Sequence, residues 1–271
     1  MPEVRIGVSG WRYPSWRGDF YPPGLVQRRE LEYVAFKMTS VELNGTFYSL
    51  QRPSTFRAIV DQTPAGFPVA VKGGRYITHM KRLAGVESAL ANFFASGVLA
   101  LGEQLGPVLW QLPPGLAYDE QRLAAFLDQL PRTTGAAATL ARQHDDKLSG
   151  DRVVAECAVD RPIRHALEAR DSSFGQPAAL ALLEDRGVAL VASDNPGAWP
   201  YLEERTAGFM YVRLHGHTEL YASGYSSPSL DRWVEKILDW RDEGLDAYVY
   251  FDNDARGRAP HDAVELLERL G

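Results

Sequence analysis

Charged residues recur at the ends of short, strand-like runs in this chain, and they do so at alternate positions. SVELN (40–44) carries Glu42 and Asn44, and PVAVKG (68–73) carries Lys72. HALEARD (165–171) carries Glu168 and Arg170, MYVRLHG (210–216) carries Arg213 and His215, and AYVYFDND (247–254) carries Asp252 and Asp254. Carboxylates and a histidine accept and return protons, while lysine and arginine grip phosphate or carboxylate groups. Brought to one point, these residue types would bind an anion and move protons on it.

Parity decides whether they meet. Alternate residues of a strand face opposite sides. Val41 and Leu43 oppose Glu42 and Asn44; Val69 and Val71 oppose Ala70 and Lys72; Leu167 and Ala169 oppose Glu168 and Arg170. Val212 and Leu214 oppose Tyr211, Arg213 and His215, and Val249 and Phe251 oppose Tyr250, Asp252 and Asp254. The aliphatic set must face covering helices, so the other set converges on a shared axis. The expected cluster holds Glu42, Glu168, Asp194 and Asp252 with Arg5, Lys72, Arg170 and Arg213. Lys72 is expected to pair with one of these carboxylates, whereas Asn253 points outward, toward a loop backbone. A scaffold reading stands beside the functional one, in which the charges form a buried ion lattice. Such lattices seldom stabilise more than an apolar core does.

The elements that would position these residues alternate along the chain. Eight strand-like runs (4–10, 40–44, 68–73, 107–113, 165–171, 188–194, 210–216 and 247–254) are separated by helix-patterned segments such as STFRAIVDQ and SLDRWVEKILDWRDEG. Asp119, Ser229 and His261 stand near helix starts, and Gly187 and Gly244 follow helix ends. This rhythm predicts one domain over 1–271, an α/β (β/α)8 TIM-barrel-like fold. Residues 133–164 form an excursion before the fifth strand, with one extra helix near Ala136–His144. NPGAWPYLEERTAG (195–208) is too short and too rich in Pro and Gly for a helix, so the sixth helix is degenerate.

Further stretches carry chemistry. KGGRYITHMKRL adds Arg75, His79, Lys81 and Arg82 to Lys72 in one loop, a cationic group suited to an anionic ligand. GWRYPSWRGDFYP holds Trp11, Tyr13, Trp16, Phe20 and Tyr21, which either stack on a sugar or base at the mouth or hold the long loop down as an apolar cluster. Glu42, Glu168, Asp194, His215 and Asp252 are donors of the kind that hold Mg²⁺, Mn²⁺ or Zn²⁺. HExxH and CxxC are both absent, however, and neighbouring cations offset the carboxylates, so neither metal nor cofactor is expected.

With 271 residues, 45% hydrophobic, and a formal charge of -6, the chain can bury a large core and carries no global basic field for nucleic acid or membrane. The single cysteine, Cys157, excludes an intramolecular disulfide. Neither a signal peptide nor an 18-residue apolar run is present, and a cytoplasmic protein is expected.

In that order, GVSGWRYPSWRGDFYPPGL, SVELNGTFYSL, FPVAVKGGRYITHMKRL, LGPVLWQLPP, RHALEARDSSF, VRLHG and YVYFDNDARGRAP resemble the DUF72 (YecE-like) family over residues 4–265. The resemblance implies a TIM-barrel-like fold, loosely related to sugar-isomerase-type barrels, of unsettled biochemical function. Its motif positions on inward strand ends fall on Glu42, Asn44, Lys72, Gln111, Glu168, Arg170, Arg213, His215 and Asp252. Family members often carry histidine where this chain has Asp171, which argues against a catalytic Asp171. Taken together, Glu42, Glu168, His215 and Asp252 are expected to move protons, and Asn44, Lys72, Arg75, Gln111, Arg170, Arg213, Trp11 and Tyr13 to contact the ligand. The expected activity is a hydrolase or isomerase type acting on a sugar phosphate or nucleic-acid fragment. Alternatives are a non-catalytic binding or regulatory protein and a metal-dependent isomerase or phosphodiesterase. No protein partner is indicated.

Overall fold

Runs rich in Val, Ile and aromatic residues form eight strands because branched side chains pack well on a pleated surface covered on both faces. They are β1 (Val4–Val8), β2 (Val41–Leu43), β3 (Val69–Lys72), β4 (Leu105–Gln111), β5 (His165–Glu168), β6 (Val188–Asp194), β7 (Phe209–Leu214) and β8 (Asp246–Phe251). The structure, a computed structural model, describes residues 2–271. All strand pairs are parallel, in the order β1-β8-β7-β6-β5-β4-β3-β2. The remaining seam, β1 to β2, is joined by one bridge between Ser9 and Glu42, with Gly10 N–H donating to Glu42 O at 2.9 Å. Gly7 permits this approach: a Cβ there would lie 2.1 Å from Ser40 O.

Helices cover the outside. They are α1 (Glu30–Lys37), α2 (Gly45–Tyr48), α3 (Pro53–Gln62), α4 (Glu87–Ala95), α5 (Glu120–Gln129), α6 (Thr134–Ala141), α7 (Pro177–Asp185), α8 (Ser227–Asp242) and α9 (Ala259–Leu270). Asp119 caps α5 by accepting from Arg122 N–H at 2.8 Å, and Gly187 and Gly244 end α7 and α8 with positive φ. The extra helix of the excursion is α6. Its following loop is tied to α4 through Asp145 N–H on Asn92 Oδ1 at 3.0 Å and Val154 N–H on Ala95 O at 2.8 Å. Residues 195–208 contain no helix. Among the described residues no helix is long and apolar enough to cross a membrane.

Two buried layers follow the parity of the strands. Val41, Leu43, Val71, Leu167, Val212 and Phe251 belong to the core between barrel and helices. Ala70, Leu109, Ala166, Ala189, Val191, Phe209, Tyr211, Tyr248 and Tyr250 fill the barrel interior. The interior therefore runs from aromatic and aliphatic packing in its middle to a charged layer at the C-terminal ends of the strands.

Candidate functional site at the C-terminal mouth

Arg213, wholly buried, organises the charged layer. Its guanidinium donates to both oxygens of Glu42, at 2.9 and 3.1 Å, to Glu168 Oε2 at 2.8 Å and to Asp252 Oδ2 at 3.0 Å. Ser9 Oγ and Tyr211 Oη donate to the Glu42 carboxylate at 2.8 and 2.6 Å. Arg170 donates to Glu168 Oε1 at 3.0 and 2.9 Å. Isolated, a buried charge is very costly, and only such mutual bonding makes this layer tolerable.

Field and burial act on each group. Burial pushes Glu168 upward, but Arg213 and Arg170 outweigh it and hold the carboxyl well below its ordinary range. Asp252 follows the same pattern: burial raises it, yet Arg213, then His215 and Lys72, bring it down to about 2. Asp254 goes the other way, since burial and the Asp252 carboxylate both push it well up. Two carboxyls separated by one residue are thus driven apart, one ionised and one protonated.

Lys72 differs from the arginines. Among the described residues no carboxylate lies within 4.0 Å of its ammonium, which sits 4.6 Å from the centre of the Phe47 ring. The expected direct pair with a carboxylate is therefore absent, and Asp252, Glu42 and Glu168 act on Lys72 only at longer range. Burial, then Arg213, pushes its pKa down to about 8 against their pull.

Above this layer the mouth is narrow. Trp199 lies over the Arg170 guanidinium at 3.8 Å and meets the His215 ring edge-on at 5.1 Å. Tyr221, in the left-handed region at φ 60, also meets the His215 ring edge-on at 5.4 Å and lies 6.4 Å from Trp199. Among the charged side chains Asp252 is 17% exposed, Arg170 9% and Lys72 7%. His215 Nδ1 stands 3.0 Å from Asp252 Oδ2 and Nε2 stands 3.6 Å from Glu168 Oε1, but neither contact has hydrogen-bond geometry. Both Asp254 oxygens and Asn44 Oδ1 are likewise buried without a partner.

Beside the mouth, over the β1–β2 seam, lies a cavity of about 550 Å³ lined by Trp11, Tyr13, Asn44, Gln51, Thr55 and Ile59 among others. Neither it nor two surface clefts near Asp19 and Asp194 is lined by Glu42, Lys72, Glu168, Arg170, Arg213 or Asp252. The expected ligand contacts thus divide. Lys72, Arg170, Arg213 and the buried Gln111 lie in the charged layer, and Trp11, Tyr13 and Asn44 wall the cavity. Asn44 Nδ2 and Tyr13 Oη both donate to Ser9 O, at 3.1 and 2.7 Å, which links the two regions.

Several expectations need correction. Asp194 faces outward, beside His217, Arg232 and Lys236 against α8, and the inward residue of β6 is Ser193, 3.4 Å from Glu168 Oε1. Arg5 is at the opposite end of the barrel, bonded to Glu3 at 2.9 Å. Arg75 is exposed on the loop after β3. Trp16, Phe20 and Tyr21 form an edge-to-face cluster with Tyr33, so most of the first loop's aromatics hold that loop in place. Asn253 does bond outward, donating to Ser223 O at 2.9 Å and Asp262 Oδ2 at 2.7 Å. Asp171 caps the turn after β5 by accepting from Ser173. With Asp194 turned away and Glu42, Glu168 and Asp252 engaged by Arg213, no three His, Cys, Asp or Glu side chains among the described residues are arranged to hold a metal ion. Ser9, Tyr211, Trp199 and Tyr221 were not expected in the site. Parity marks the first two, and no sequence pattern marks the loop residues.

The protein of unknown function DUF72 family model matches residues 5–271. A DUF72 family protein of Thermotoga maritima has a similar crystal structure, with a TM-score of 0.78 and 24% identity covering 99% of each chain. One from Enterococcus faecalis gives 0.75 and 17%, covering 98% of this chain and 95% of the other. The UPF0759 protein YunF of Bacillus subtilis is 23% identical over 98% of this chain and 94% of its own length. The solved structures share the barrel fold, and the chain belongs to the DUF72 family.

Proposed function

We propose that the mouth is the active site of an acid–base enzyme acting on an anionic small molecule, of the sugar-phosphate or nucleic-acid-fragment class. One observation carries this reading. Arg213 is saturated with bonds, while Lys72, both nitrogens of His215, the Asp254 carboxyl and Asn44 Oδ1 have no bonded partner. A lattice built only for stability would satisfy these groups, because each buried orphan is costly. Left unpaired at the mouth and, for Asn44, in the cavity beside it, they are suited to a ligand's phosphate and hydroxyl groups. Arg170 would hold the anionic group, Lys72 would contact the ligand beside it, and Asp252, Glu168 and His215 would take and return protons. The strained backbone of Tyr221 and the stacked Trp199 are the groups that must shift to admit it.

The near-closure of the mouth favours a second reading, a non-catalytic sensor that opens only to its ligand. Titration calorimetry with ribose 5-phosphate, on the wild type and on Arg170→Met, tests the site itself. Binding lost in the variant, with unchanged melting, is the expected result, and no binding by the wild type would sink both readings. Phosphorus and proton NMR of the bound mixture then separates them, since a sensor returns its ligand unchanged. We infer no resident metal, because the carboxylates are already engaged. Stoichiometric zinc or manganese in the purified protein would reverse this and revive the metal-dependent isomerase or phosphodiesterase.

A further inference from the structure

Among the described residues five cations stand on or beside the inward faces of the strands, and four are paired. Arg213 and Arg170 hold carboxylates, Arg164 holds Asp246 at 2.6 Å, and Arg5 holds Glu3. Lys72 is the exception. Its ammonium sits over the Phe47 ring, Arg213, Asp252, Glu42 and Glu168 act on it at longer range, and its backbone is fixed. Thr46 Oγ1 donates to Lys72 O at 2.6 Å, and Gly73 is pressed so closely on Trp110 that a Cβ would lie 2.2 Å from the indole. A lysine serving only to balance charge would bond to a carboxylate, as the arginines do.

We propose that Lys72 is a covalent nucleophile whose amine forms an imine with the carbonyl carbon of an anionic aldehyde or ketone at the barrel mouth. This rests on the anion-binding reading above and narrows its substrate class to carbonyl compounds. Desolvation beside another cation is how proteins make a lysine amine available near neutral pH, and the downward shift to about 8 agrees with it. The Lys72 ammonium gives its proton to solvent, since no carboxylate among the described residues lies within 4.0 Å of it. The amine lone pair then bonds to the carbonyl carbon, the carbonyl π pair moves to oxygen, and that oxygen takes the second proton shed by the nitrogen. Solvent returns the first proton to the hydroxyl, and the C–O bond breaks to release water. Amine and carbonyl become imine and water, with no change of oxidation state.

The chain has only five lysines, the others being Lys37, Lys81, Lys147 and Lys236, which makes the test clean. Full-length protein is incubated with glyceraldehyde 3-phosphate and sodium cyanoborohydride, which reduces an imine to a stable secondary amine, and adducts are located by peptide mass mapping. The expected result is one adduct per chain at Lys72, formed about tenfold faster than at any other lysine at pH 7.5. Glycerol 3-phosphate should slow it and Lys72→Arg, which keeps the charge, should abolish it. Adducts spread over the other lysines and unchanged in Lys72→Arg would overturn the proposal. If glycerol 3-phosphate binds by calorimetry yet Lys72 is never labelled, imine formation is overturned while the anion site stands. If neither compound binds or reacts, both fall together.

Discussion

The two ends of the barrel interior solve the same problem in opposite ways. At the N-terminal end Arg164 lies against the Phe209 and Tyr248 rings, donates to Tyr248 Oη at 3.1 Å and pairs with Asp246. Tyr250 Oη meets Ser40 Oγ at 2.7 Å. Arg164, Tyr248, Tyr250 and Ser40 all have partners at that end. At the C-terminal end, the same strands deliver a saturated Arg213 surrounded by groups with none. One end shows what a polar plug looks like when stability is its only task. The other departs from that standard on the side where barrels of this type carry their chemistry.

Removing the hub is the severest way to test the contrast. Arg213→Met leaves Glu42, Glu168 and Asp252 buried without their cation and should cost about 3–5 kcal/mol in urea unfolding. A loss below about 1 kcal/mol would mean that the layer is well hydrated, and the two ends would no longer differ in kind. Acid comes next. Asp252 is held at about 2 against an ordinary 3.8, so the folded state binds its proton more weakly than the unfolded chain does. Its contribution, about 2 kcal/mol, is complete above pH 4 and is lost as pH falls through 2. Asp252→Asn should flatten that part of the stability curve.

At the plugged end, Tyr250→Phe removes one satisfied bond and should cost about 1 kcal/mol without altering phosphate binding. Any change in ligand affinity there would blur the division. Lys72→Met is expected to have the smallest effect on stability, under about 1 kcal/mol at pH 7, because no ion pair is broken. With a pKa pushed from 10.5 to about 8, the folded chain holds this proton less tightly than the unfolded one. Wild-type stability should therefore rise between pH 8 and 10.5, be flat below, and lose that rise in the variant. A large loss at pH 7 would return Lys72 to the scaffold.

Much of this was legible in the sequence, for a definite reason. Parity has a period of two, so wherever one face of a strand is aliphatic the other face is identified, as for Glu42, Glu168, Arg213 and Asp252. Where both faces are apolar the rule is silent. VALVASD offers Leu190 and Ala192 on one side and Val191 and Ser193 on the other, and this is why Asp194 was expected inside and Ser193 was not. Parity also gives a face but not a height, so Arg5 shares the interior yet lies at the far end. The reach of a flexible side chain lies beyond it too, which is why the missing partner of Lys72 emerges only from the structure. Trp199 and Tyr221 come from segments without periodicity, placed by contacts distant in sequence.

The β1–β2 seam has a further consequence. Seven of the eight joints between strands are ladders, and this one is a single bridge beside which Glu42 is clasped by Arg213 from β7. The joint is closed across the interior as well as along its edge, where Thr39 N–H donates to Ile6 O at 3.1 Å, like a stave held by a spoke as well as by its neighbour. Amide exchange in the native protein should reveal it: the amides of Ile6 and Gly10 should exchange ahead of those in β6 and β7. Because the spoke is also the hub of the mouth, a ligand bound there would tighten a joint it never touches, slowing exchange at the seam.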